Sequence, residues 1–174
     1  ENPPSEAHEH HGHTDDPHVW LDPRMVAAHA RELCDVLIKL NPDHKEQFEG
    51  NLTDFARDLD LLNADLTATF ASFQGREFWV YHPSWDYFAR AYGLVQRAIE
   101  DEGKSPGSRS LARLVDRARA SHAKVIFLEP QLGKKKAEVL AKEVGCETRL
   151  INPYARDYIN DLRASAAAIA EGMS

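Results

Sequence analysis

The histidines of this chain sit where chemistry would put them. The stretch HGHTDDPHVWLDP, residues 11–23, crowds His11, His13 and His18 among aspartates and prolines just ahead of a helix start. Neutral imidazole is a good ligand for a borderline divalent ion such as Zn(II), and a half-buried cluster of imidazole and carboxylate is costly unless a cation satisfies it. A site needs partners from elsewhere in the chain, and three stand out: His82 in HPSW, Glu129 in IFLEPQ, and Asn152 in INP. Each has a plain structural alternative. His82 can be a hydrogen-bonded helix cap, Glu129 can brace a loop through backbone amides, and Asn152 before Pro153 can make a turn. Taken singly, each favours that alternative; together with His18 they favour a metal site.

The elements that would position these residues can be read from periodicity. Asp22 and Pro23 form an N-cap and first-turn signal, and Met25, Val26, Leu33, Val36, Leu37 and Leu40 follow at helical spacing to Asn41. Asn41 and Pro42 repeat the signal. Phe48, Leu52, Phe55, Leu59, Leu62, Leu66 and Phe70 then recur every three or four residues up to Gln74 and Gly75. The spacing predicts a helix of about 30 residues and ~45 Å, a strut. Beyond Gly75 short β-rich runs at 77–82, 94–99, 124–130 and 147–152 alternate with helical patterns near 83–92, 109–121, 134–144 and 157–172. Alternation of this kind predicts an α/β fold: a parallel four-stranded sheet flanked by helices, preceded by the long backbone helix. Ligands bind at the carboxyl ends of such strands. His82, Glu129 and Asn152 fall at the predicted ends of the first, third and fourth.

Composition excludes several functions. The formal charge of −7, from 28 acids against 21 bases, opposes nucleic-acid binding, which uses clustered Lys and Arg. The chain has no apolar run near the ~20 residues of a membrane helix, and its opening ENPPSEAHEHHGH carries no signal-peptide pattern, which we read as a cut start. Residues 1–15 are expected to be a His-rich disordered segment, with His8, His10, His11 and His13 offering weak auxiliary metal capture or simply solvated. Cys34 and Cys146 have no CxxC spacing, and both a disulfide and two thiols suit them. Lys134, Lys135 and Lys136 are read as solvated, and His29, His44 and His122 as surface or hydrogen-bonded residues. Trp79, Trp85, Tyr87, Phe88 and Tyr92 are expected in the core and cleft wall, and Trp20 beside His18.

Three strings in order, DPHVWLDP (16–23), HPSWDYFARAYGL (82–94) and IFLEPQ (126–131), resemble the zinc and manganese solute-binding proteins of bacterial ABC importers (cluster A-I). The resemblance runs from about residue 15 to the end. It implies two α/β lobes joined by a backbone helix with the metal between them, of which this chain corresponds to residues 16–41 as the end of the first lobe and connecting helix, 42–75 as the backbone helix, and 76–174 as the C-terminal lobe. It also implies that His18 and His82 are ligands, that a third histidine comes from the missing first lobe, and that Glu129 is a supporting group. Many relatives carry an Asp ligand where Asn152 stands, so the fourth ligand here would be water or a first-lobe carboxylate, with Glu129 the less favoured candidate. An imidazole at position 82 suits Zn(II), whereas a carboxylate there would suit Mn(II).

The resemblance further implies extracytoplasmic zinc capture, as a periplasmic protein or membrane-anchored lipoprotein, and delivery to an ABC permease, with a surface adhesin role as an alternative. Capture should weaken as pH falls through the histidine range. A zinc hydrolase using Glu129 as base lacks any HExxH-like spacing, and a nucleotide site lacks a glycine-rich loop after the first strand. A chain lacking one lobe would expose apolar helix surface, so self-association is expected.

Overall fold

Asp22 starts the first helix as its sequence signal requires. Its carboxylate accepts the Arg24 N–H at 2.9 Å, Pro23 occupies the first turn, and helix α1 runs Pro23–Leu40. A 3-10 turn, Val19–Leu21, precedes it. This computed structural model describes residues 16–100, 108–121, 123–131, 138, 139, 141–143 and 145–174. The histidines at 8, 10, 11, 13 and 122 and the lysines at 134–136 lie outside the described residues.

The strut differs from its predicted form at both ends. Asn41 and Pro42 open a 3-10 turn, Pro42–His44, without a side-chain cap bond, and helix α2 begins only at Lys45. It ends at Phe70, giving 26 residues and ~39 Å. Phe73 continues the apolar spacing but belongs to the turn that follows, where Gly75 takes a φ of 72° and donates its N–H to the Gly93 carbonyl. Leu62, Leu66 and Phe70 are buried beneath it. Helix α1 packs on α2, with Ala27 and Cys34 buried, while Leu33, Val36 and Leu40 are exposed, Leu40 by 77%.

The sheet is parallel and four-stranded, in the order β2-β1-β3-β4: β1 Glu77–Val80, β2 Val95–Ala98, β3 Val125–Leu128 and β4 Glu147–Leu150. Period-two alternation divides its faces. Phe78, Val80, Val125 and Phe127 meet α2, the short helix α3 (Asp86–Ala91) and the last helix α5 (Tyr158–Met173). Trp79, Tyr81, Ile126 and Leu128 meet the other layer, which includes Ala118 of α4 (Ser108–Ala120) and Ala141. Gly172 lets α5 approach β3, since a Cβ there would lie 2.7 Å from Phe127 Cζ.

This order fixes the place of the site. From β1 the chain leaves through α3 to β2 on one side and returns through α4 to β3 on the other. Connections therefore diverge between β1 and β3, which opens a crevice at their carboxyl ends. β1 is shorter than predicted. It ends at Val80 and α3 starts at Asp86, so His82 lies in a bend between them, where Pro83 bars the preceding residue from helix. The two cysteines are both free thiols.

Candidate metal centre

His18 and His82, 64 positions apart in sequence, face each other across this crevice. Their ring centroids are 5.7 Å apart and the planes nearly perpendicular, at 79°. His18 enters on the 3-10 turn ahead of α1, and His82 on the bend after β1. Trp20 packs edge-on against His18 at 5.2 Å and donates its indole N–H to the Pro153 carbonyl at 2.8 Å. Tyr158 of α5 in turn donates its hydroxyl to the Trp20 carbonyl at 2.8 Å. The turn bearing His18 is thereby fastened to the loop after β4 and to the last helix.

Each imidazole is held by a carboxylate at the same nitrogen. His18 Nδ1 lies 2.7 Å from Asp16 Oδ1, which also accepts the His18 backbone N–H at 3.0 Å. His82 Nδ1 lies 2.7 Å from Glu100 Oε2. An ionised carboxylate only accepts, so in the neutral form each ring carries its proton on Nδ1 and keeps a lone pair on Nε2. Carboxylate-anchored imidazoles are the arrangement that orients histidine toward a metal and raises its basicity. His18 is 6% exposed and Asp16 Oδ2 is buried with no hydrogen-bond partner among the described residues, so negative charge accumulates here without full compensation.

Glu129 supplies a third carboxyl at the end of β3, where it is buried and accepts a hydrogen bond from Ser84. Burial pushes its carboxyl above the usual carboxylate range, and the charge of Glu100 adds to this. The Ser84 hydrogen bond pulls the other way, as do His82 and His18 when they carry a positive charge. Asn152 takes its structural alternative: its amide oxygen accepts the Tyr154 N–H at 3.1 Å and faces Gln131 Nε2 at 3.4 Å. Tyr154 then brings its hydroxyl to 3.0 Å from His18 Nε2. Burial, with Glu129 and Asp16 nearby, raises that phenol, so it stays protonated.

Of the residues predicted from sequence, the structure brings His18, His82 and Glu129 to one rim and leaves Asn152 in a turn beside it. His29 and His44 are exposed, as expected of surface residues. Three residues escaped the sequence reading: Asp16, Glu100 and Tyr154. Glu100 had a usable signal, since it follows the predicted second strand at its carboxyl end. Tyr154 had none, because its position depends on how the loop after β4 folds back. Among the described residues no group of three His, Cys, Asp or Glu side chains is placed to hold an ion by itself. The site as described is two imidazoles with their anchoring carboxylates.

Known proteins are similar to this chain over most of its length. The family described as zinc-uptake complex component A, periplasmic, matches residues 2–172. The high-affinity zinc uptake system protein ZnuA of Bacillus subtilis (strain 168) is 33% identical over 142 residues, which cover 80% of this chain and 44% of that protein. A crystal structure of ZnuA aligns with a TM-score of 0.88 at 40% identity, covering 91% of this chain and 60% of that one. The laminin binding protein (Lmb) of Streptococcus agalactiae, a bifunctional protein with adhesin and metal transporting activity, aligns at 0.83 with 25% identity, covering 91% of this chain and 65% of that one. The chain thus spans 44% of the length of the Bacillus subtilis protein and 60–65% of the two solved structures.

Proposed function

The chain belongs to the zinc-uptake complex component A family, and we propose that His18 and His82 bind Zn(II) through their Nε2 atoms as cargo for import. The family is a solute-binding component of zinc transport and not an enzyme, which sets the hydrolase reading aside. The observation that carries the proposal is the pair of carboxylate-anchored imidazoles 5.7 Å apart at the switch point of the sheet. Imidazole nitrogen suits zinc better than manganese, which prefers oxygen donors. Zinc takes four ligands, so the remaining donors come from outside the described residues, in the arrangement that the family resemblance implies from a further lobe. Glu129 supports the site from its rim as a neutral hydrogen-bonding carboxyl or, beside a cation, as a charge.

In this reading the protein captures zinc on the extracytoplasmic side, the crevice limits water access, and a membrane permease of the ABC type removes the ion. No helix among the described residues is long and apolar enough to cross a membrane. Zinc titration against a chromophoric chelator tests the site. His18→Ala and His82→Ala should each weaken binding by at least ~10-fold, a conservative figure for the loss of a metal ligand compared with its outer partners. Affinity in the parent protein should also fall from neutral to mildly acidic pH, because ligation requires neutral imidazole. Affinity that is indifferent to both substitutions would reject the assignment. The outward stripe of Leu33, Val36 and Leu40 supports the expected self-association. Sedimentation as a monomer at high concentration would reject that part.

A further inference from the structure

We infer that the Tyr154 hydroxyl is a built-in competitor for the lone pair with which His18 would bind metal, so that this tyrosine sets the site's affinity. The inference rests on the proposed zinc site. In the neutral ring that binds metal, Asp16 Oδ1 takes the His18 Nδ1–H at 2.7 Å, which leaves Nε2 as the acceptor. The oxygen 3.0 Å from that Nε2 is the Tyr154 hydroxyl, which must therefore be the donor. One lone pair serves one partner. A metal ion on His18 Nε2 displaces this hydrogen bond, and the hydrogen bond opposes the metal.

The surroundings of Tyr154 suit this role. Its backbone is pinned, because its N–H is held by Asn152 Oδ1 at 3.1 Å and the preceding Pro153 carbonyl is held by the Trp20 indole at 2.8 Å. The same Trp20 packs against His18, so hydroxyl and imidazole are presented to each other by one connected unit. Its side chain is not enclosed. Tyr154 is 50% exposed, with its ring 5.8 Å from that of Trp20 and 6.1 Å from that of His18, and rotation about its side-chain bonds carries the hydroxyl into solvent without unpacking the core. Asn152, expected as a possible ligand, thereby gains a different part: it fixes the base of the residue that competes with the ligand.

Competition of this kind lowers apparent affinity by one plus the equilibrium constant for hydrogen-bond formation. A neutral hydrogen bond contributing about 0.5–1.5 kcal/mol gives a factor of roughly 3 to 14. Tyr154→Phe keeps the ring and removes the donor. It should tighten zinc binding by that factor, and should tighten Co(II) binding by the same factor, since any ion using His18 meets the same competitor. In a His18→Ala background the substitution should have no effect. Chelator-competition titrations on the four proteins of this cycle make the test. Tyr154→Phe binding zinc as tightly as the parent, or more weakly, overturns the competition, as does an equal gain without His18. Undiminished zinc binding in His18→Ala overturns the site assignment itself, and the competition with it.

Discussion

Removing the carboxylate that anchors His82 tests whether orientation of the imidazole, and not merely its presence, makes this site. Glu100 Oε2 is 2.7 Å from His82 Nδ1, and the two side chains are 10% and 25% exposed, so water replaces the carboxylate poorly. A charge-assisted hydrogen bond in such surroundings contributes ~1.5–3 kcal/mol. Only part of that favours the metal-bound state, through the stronger Nδ1–H donor that a coordinated imidazole becomes and through the fixed tautomer. Loss of comparable outer partners weakens metal sites by roughly 10- to 100-fold, or about 1.4–2.7 kcal/mol. Glu100→Ala should therefore lower zinc affinity by ~10- to 100-fold in a chelator-competition titration. Glu100→Gln retains an acceptor oxygen on the same stem and should lose only a few-fold. Glu147→Ala, a 77% exposed carboxylate at the opposite ends of the strands, should change nothing. Affinity of Glu100→Ala within twofold of the parent would refute the reasoning. A Gln variant as weak as the Ala variant would show that charge, and not orientation, was the contribution.

Two further outcomes follow from other parts of the molecule. Gly93 has a φ of 70°, and a Cβ there would lie 2.0 Å from Gln74 Oε1, whose amide donates to the Phe70 and Tyr92 carbonyls at 3.0 Å each. Gly93→Ala should destabilise the fold by about 2 kcal/mol and lower the melting temperature by ~4–8 °C, measured calorimetrically. Glu129 is raised by burial, so between the ordinary glutamate range and its folded value the native state binds more protons than the unfolded chain, and stability falls as pH rises through that window. Glu129→Gln, which keeps an acceptor for Ser84 without the charge, should flatten this dependence and melt higher than the parent at neutral pH in the presence of a chelator. A parent and variant with parallel pH–melting curves would show that the carboxyl carries no such penalty.

Most of the fold was legible because its signals are local. The Asp22–Pro23 cap and the alternation of β-rich runs with helical patterns each act over a few residues, and each fell within two or three positions of the observed elements. The strut was misjudged where local rules conflict. Apolar spacing continues past Phe70, but the chain must turn to enter the sheet, and that demand is tertiary. Likewise Asn41 repeats the residue types of a cap without making its side-chain hydrogen bond, and a 3-10 turn, Pro42–His44, comes before α2.

The site was legible to the extent that topology could be inferred. Reading residues at the carboxyl ends of parallel strands finds His82 and Glu129, and the same rule applied to the second strand finds Glu100. What the rule cannot give is how charges are shared once these ends meet. Asp16, Glu100 and Glu129 converge on two imidazoles in a largely buried space, and three ionised carboxylates there would repel one another. Burial holds Glu129 toward its neutral form, while Asp16 and Glu100 are engaged by the Nδ1–H groups. A divalent cation on the two Nε2 atoms would reverse the balance, because its charge would favour the ionised form of every carboxyl around it. In the proposed reading, the carboxylates that no metal-ligand motif would pick out are thus what would fit this pair of histidines for zinc.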